Sequence, residues 1–166
     1  DYDERYTMTA SEAFEARTGN CVAFSNLMVA LARRAGLKAS YQEVFLRPEW
    51  SDFQDDTTLL YKHVNVVVGT LQKSWLVDVS GIKIRQSDRR RLVEDSYAKA
   101  LYLNNIAVEA LLENDLQRAF AYVTKAIETD RTVVDPWVKL GVIYSRNVQL
   151  EDAAFALRQA LRIEPG

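Results

Sequence analysis

The chain has one cysteine, one histidine and three prolines in 166 residues. The single thiol, Cys21, excludes an intrachain disulfide, and with a lone imidazole, His63, it excludes the usual Cys/His zinc cages. No cofactor motif is present, so neither metal nor cofactor is expected. A lone thiol suits the cytosol and is tolerated in a periplasm, which leaves compartment open. Excess charge of one sign is also missing: 21 Lys and Arg stand against 23 Asp and Glu, a net charge of −2. Nucleic-acid binders and polybasic membrane-surface proteins need a positive excess to neutralise phosphate, so neither class fits. No run of about 18 apolar residues exists to span a bilayer. The first ten residues, DYDERYTMTA, are polar and acidic, unlike a secretory leader. What remains, 48% apolar and 27% charged residues, is the composition of a globular chain of one or two domains.

The periodicity divides the chain into an α+β region over residues 1–94 and an all-helical region over 95–166. In the first, Ser11 to Ala16 predicts a short helix capped by Thr9 or Ser11. Asn20 to Ala35 predicts a longer one, with Phe24, Leu27, Met28, Leu31 and Ala35 as its apolar stripe and Gly36 behind Arg33 and Arg34 as its stop. Residues 39–46 read as a strand and 47–60, with Pro48, as a loop. Lys62–Val68 and Ser74–Ser80 read as a hairpin joined by Gly69–Gln72. The basic segment Arg85–Arg91 reads as a solvated connector between the two regions.

The second region repeats itself. Ala107 and Gly141, Ala119 and Ala153, and Ala126 and Ala160 are each 34 residues apart. The second copy carries Trp137, Leu140, Gly141, Tyr144, Ala153, Leu157, Ala160 and Pro165. This spacing resembles the tetratricopeptide repeat, in which small residues lie where two antiparallel helices touch. The first copy is weaker and has Arg131 where proline would fall. Two repeats make a short solenoid whose concave side suits a peptide or protein partner.

Three residue types in the first region carry chemistry. Cys21 opens the long helix, where the positive end of the helix dipole favours a thiolate. His63 starts one hairpin strand and Asp78 lies near the end of the other. With a Gly69–Gln72 loop, facing residues sum to 141, which sets His63 directly opposite Asp78, about 4.5–5.5 Å apart at Cβ. Alternation then puts Val64, Val66, Val68, Trp75, Val77 and Val79 on one face and His63, Asn65, Leu76 and Asp78 on the other. These are the parts of a Cys-His-Asp nucleophile system: Cys21 attacks, His63 moves the proton, and Asp78 orients the imidazole. The Cys21 N–H is one oxyanion donor; Asn20, Gln42 and Asn65 are candidates for a second.

The segment TASEAFEARTGNCVAFSNLMVALARRAGLKA, followed by KHVNVVV and WLVDV, resembles the bacterial transglutaminase-like superfamily within the papain-like cysteine fold. The resemblance covers roughly residues 9–80, and it maps the family's functional residues onto Cys21, His63 and Asp78. It implies a papain-like α+β core, with the cysteine helix packed on an antiparallel sheet, and acyl transfer or amide hydrolysis through a thioester. Asn65 stands where many relatives carry an aromatic residue, and Val79 where Pro or Asn is common. Proteins joining such a domain to tetratricopeptide repeats occur in bacterial envelopes, often lipid-anchored, so the periplasm or envelope is the expected location and the cytoplasm the alternative.

The expected function is therefore a thiol enzyme acting on amide bonds of a protein or peptide, with the repeats recruiting substrate or partner. The alternative is an inactive scaffold for protein–protein interaction; a third is that the repeats carry the whole function. Smaller features are read blandly: Asp52, Asp55 and Asp56 as a solvated loop, Arg89–Arg91 as surface, and Trp50, Trp75 and Trp137 as core or rim, with Trp50 bordering a substrate groove at most.

Overall fold

The computed structural model describes residues 2, 6–46, 62–70 and 72–165. Pro48, Trp50, Asp52, Asp55 and Asp56 lie outside the described residues, and the expectations placed on them stay there. The chain divides into two compact units, one of Asp1–Glu4 with Met8–Glu94, the other of Arg5–Thr7 with Asp95–Gly166.

The first unit is α+β. Helix α1 (Ala10–Ala16) starts on a capping box: Thr9 Oγ1 accepts from the Glu12 N–H while Glu12 accepts from the Thr9 N–H at 2.7 Å. Helix α2 (Cys21–Arg34) is capped by Asn20, whose side chain accepts from the Ala23 N–H at 3.0 Å. It stops where the sequence indicates. Gly36 has φ +79°, the Leu37 N–H reaches the Ala32 carbonyl and the Gly36 N–H the Arg33 carbonyl, a Schellman ending.

Four strands follow: β1 (Lys38–Phe45), β2 (Lys62–Gly69), β3 (Ser74–Val77) and β4 (Arg89–Val93). They form one antiparallel sheet in the order β3-β2-β1-β4.

Two expectations are corrected here. The stripe Phe24, Leu27, Met28, Leu31 and Ala35 is not the buried face of α2. Val22, Ala23, Ser25, Val29 and Ala32 are buried instead, and Leu31 is 49% exposed. The cause is close approach: Ser25 Oγ donates to the Val64 carbonyl at 3.2 Å, and the Tyr41 hydroxyl donates to Asn26 at 2.9 Å. Only small side chains fit between backbones that near. Phe24 and Leu27 line a shallow surface groove with Ala13 and Phe14 of α1.

The basic connector is corrected as well, because Arg89–Val93 forms β4 and pairs with β1. The guanidinium groups of Arg89 and Arg91 lie 5.0 and 5.4 Å from the centre of the Phe45 ring. Arg91 Nε donates at 2.6 Å to Glu43, whose side chain is fully buried. The charges read as solvated are thus tied to the sheet. They also blunt an edge strand against pairing with other chains.

The second unit contains α3 (Asp95–Leu112), α4 (Leu116–Thr129), α5 (Val134–Arg146) and α6 (Leu150–Ile163). Helix α3 packs on α4 and on α5, α4 on α5, and α5 on α6. The residues at the 34-residue spacing are all buried: Ala107, Ala119, Ala126, Gly141, Ala153 and Ala160. At Gly141 a Cβ would stand 2.7 Å from Leu157 Cγ, so α5 and α6 meet there at a distance only glycine allows. Trp137 is partly buried against this core, whereas Trp75 of the first unit is 46% exposed with Lys73 Nζ 5.4 Å from its ring centre.

Removing the cation beside a fully buried carboxylate is costly. Arg91→Ala is expected to lower the unfolding free energy by about 2–3 kcal/mol, measured by urea denaturation. Arg90→Ala, on the same strand but with no acidic partner among the described residues, is expected to cost under about 1 kcal/mol. Equal losses in the two variants would sink the assignment of the buried pair.

Candidate active site

The N-terminus of α2 sets the thiol. Gly19 precedes the cap, and a Cβ there would come within 3.1 Å of Ala23 Cβ and 3.5 Å of Ala13 Cβ. Glycine therefore lets the chain pass tightly between α1 and α2 before Asn20 closes the turn. Cys21 follows as the first helical residue, half-buried, at the positive end of the helix.

His63, the second residue of β2, is 2% exposed. Its Nε2 lies 2.5 Å from Asp78 Oδ2. The pairing that brings them together differs from the expected one. Val66 faces Val77, Val68 faces Trp75 and Gly69 faces Ser74, so the loop is 70–73 and β3 ends at Val77. His63 is therefore the diagonal neighbour of Asp78, and the position across from Asp78 belongs to Asn65. A slip of two residues keeps every side chain on its face, which is why the two groups still meet. The hydrophobic pattern specifies the face but not which even slip is adopted.

Asp78 is held on both oxygens. Oδ2 also accepts from Asn65 Nδ2 at 3.0 Å, while Oδ1 accepts from the Ser80 hydroxyl at 2.7 Å and the Ser80 N–H at 3.0 Å. Ser80 Oγ is 3.4 Å from His63 Nε2 and accepts from the Ile82 N–H. Sequence reasoning missed Ser80. The signal was available, since a carboxylate two residues before a serine is a common local turn in which the acid accepts from the i+2 donors.

The electrostatics follow from these contacts. Burial pushes His63 toward the neutral form; against it, the bond to Asp78, the Cys21 thiol and the charge of Asp78 raise its pKa to about 9. Burial likewise works against the Asp78 anion, yet His63, Ser80 and Asn65 together hold its carboxyl well below the usual range. With Nε2 bound to Asp78, Nδ1 is the ring nitrogen left for another partner. It is buried and makes no hydrogen bond of ordinary geometry among the described residues.

The three candidates for a second oxyanion donor sit in different settings. Asn20 spends its side-chain oxygen on the helix cap, and Asn65 turns its amide to Asp78. Gln42 faces Asn65 across the β1–β2 pair, and its Oε1 is buried without a partner among the described residues. No group of three or more His, Cys, Asp or Glu able to hold a metal occurs among the described residues. No described helix is long and apolar enough to cross a membrane.

His63 and Asp78 thus meet beside the end of the hairpin, and Cys21 opens the helix that packs on the same strand. Residues 1–78 match the family model of the transglutaminase-like superfamily. The matched segment takes in Cys21 and His63 and ends on Asp78, and the α+β unit with its four-stranded antiparallel sheet is compatible with such a core. No curated protein and no solved structure matches the chain.

The shifts fix the sign of a pH effect. A histidine whose pKa is raised on folding stabilises fully below its unfolded value near 6.5, and that contribution is lost as pH rises through about 9. Unfolding free energy is expected to fall over this window, and His63→Gln is expected to flatten the slope there. An equal slope in the variant, measured by urea denaturation at pH values of about 6 and about 9.5 that bracket the window, would assign the effect to other groups.

Proposed function

We propose that the first unit is a thiol-dependent amide-bond enzyme, a protease, amidase or acyl transferase acting on a protein or peptide. The observation that carries this reading is the His63 ring, buried and bound to Asp78 through Nε2, on the strand against which the Cys21 helix packs. In the proposed reaction the Cys21 thiolate attacks the substrate carbonyl carbon and the C–N bond breaks as His63 gives its proton to the leaving amine. A thioester remains on Cys21. Water or an acceptor amine then adds, giving its proton to His63, and the restored thiolate leaves. Asp78 orients the ring and stabilises its charged form, and the Cys21 N–H at the helix start faces developing oxyanion charge.

The four helices of the second unit fit into this proposal as a tetratricopeptide pair that recruits substrate or partner, and a bacterial envelope as the location. The alternative reading is a catalytically inactive scaffold for protein–protein interaction. One observation favours it: His63 Nδ1 lacks a hydrogen bond of ordinary geometry among the described residues.

Iodoacetamide separates the two readings. In the enzyme, Cys21 is expected to be alkylated near neutral pH much faster than a free cysteine. His63→Ala is expected to slow labelling at least about tenfold, since the base contributes on the order of 10²–10⁴ in such sites. Labelling at the rate of an ordinary thiol, indifferent to His63→Ala, would leave the scaffold.

A further inference from the structure

The ladder between β2 and β3 stops at the pair Val66–Val77. Backbone pairing therefore fixes His63, inside β2, but not the carboxylate that must meet it one residue past the end of β3. In the continued register the residue across from Asp78 is Asn65, and a diagonal neighbour is by itself the looser contact. Left to the ladder alone, Asp78 could swing away from the ring at little cost.

Two neutral side chains close that gap from opposite sides. Asn65, on the same strand as His63, donates to Oδ2, the oxygen that also meets His63. Ser80 grips Oδ1 with its hydroxyl and its N–H, and its own hydroxyl is pinned by the Ile82 N–H. We propose that Asn65 and Ser80 are positioning residues that clamp Asp78 onto His63 Nε2 in place of the missing strand pairing. This deepens the enzymatic reading of the site and rests on it for function, though the clamp itself is a structural claim. The charged group bonded to Asp78 among the described residues is His63 on β2; Cys21 on α2 also acts on the His63 titration; Asn65 and Ser80 add no charge.

Removing a clamp has two possible signs, which makes the idea testable. If the residue only shared the carboxylate's charge, its loss would free that charge to act on His63 and raise the imidazole titration midpoint. If it aims the carboxylate, its loss loosens the contact and the midpoint falls. His63 is the only histidine, so one imidazole signal in ¹⁵N NMR of the full chain reports it. In Asn65→Ala and in Ser80→Ala the midpoint is expected to drop by about one unit from the wild-type value. Ser80→Thr, which keeps both donors, is expected to hold the wild-type midpoint.

An unchanged or higher midpoint in folded Asn65→Ala or Ser80→Ala overturns the clamp, as does a drop in Ser80→Thr equal to that in Ser80→Ala. Should Asn65→Ala fail to fold, the Ser80 pair decides. Because the titration involves no thiol chemistry, an unreactive Cys21 defeats only the enzymatic reading, and an unmoved midpoint defeats only the clamp.

Discussion

A half-buried carboxylate facing a buried imidazole is the constraint on which the first unit depends. Neither group is stable there alone. Desolvating an ion costs several kcal/mol even after the protein relaxes, and Asp78 retains only 17% side-chain exposure while His63 retains 2%. Hydrogen bonds to a charged group return about 1.5–3 kcal/mol each. With His63, Asn65 and two donors from Ser80, the carboxylate has enough of them to outweigh burial. The bond to Asp78 and the charge of that carboxylate do much of the same for the imidazolium. This balance explains why both pKa values move toward the charged forms although burial, the largest single influence on each, opposes it.

The elements around the pair are shaped by the same need. A thiol can approach a strand-borne imidazole only if α2 lies close to the sheet, and α2 achieves this with Ser25, Val29 and Ala32 on its inner face. Its larger side chains are then forced outward. On the other edge, Glu43 of β1 is buried and needs a cation, which β4 supplies through Arg91. The unit therefore treats a buried acid and a half-buried one differently: Glu43 is neutralised by an arginine, Asp78 by a group that can give its proton up.

Much of this was legible in the residues. The cap of α1, the glycine stop at Gly36, the hairpin and the common face of His63 and Asp78 all follow from local rules that the fold respects. The failures share a cause. Helical periodicity marks Phe24, Leu27 and Leu31 as a stripe but cannot say that the sheet demands small residues, because that demand comes from backbone proximity across the chain. Arg89–Arg91 reads as solvent-facing because its partners, Phe45 and Glu43, are distant in the chain. The hairpin register was off by two because a four-residue loop can begin at Gly69 or at Thr70 with the same alternation. Ser80 escapes a sequence reading because a serine two residues after an acid is ordinary until the acid is known to meet a buried imidazole.

The neutrality of the groups around Asp78 has its own logic. An arginine at position 65 would satisfy the carboxylate at least as well as an amide, and its bidentate bonds would be stronger. It would also neutralise the charge that makes His63 basic, and the ring would revert toward the form that burial prefers. An amide and a hydroxyl steer the carboxylate while leaving its full charge to act on the imidazole. In the same sheet Glu43, which has no ring to serve, is met by a guanidinium. The contrast ties the choice of partner to what each acid does. A permanent cation stands beside Glu43, and uncharged donors stand beside the carboxylate that faces an imidazole.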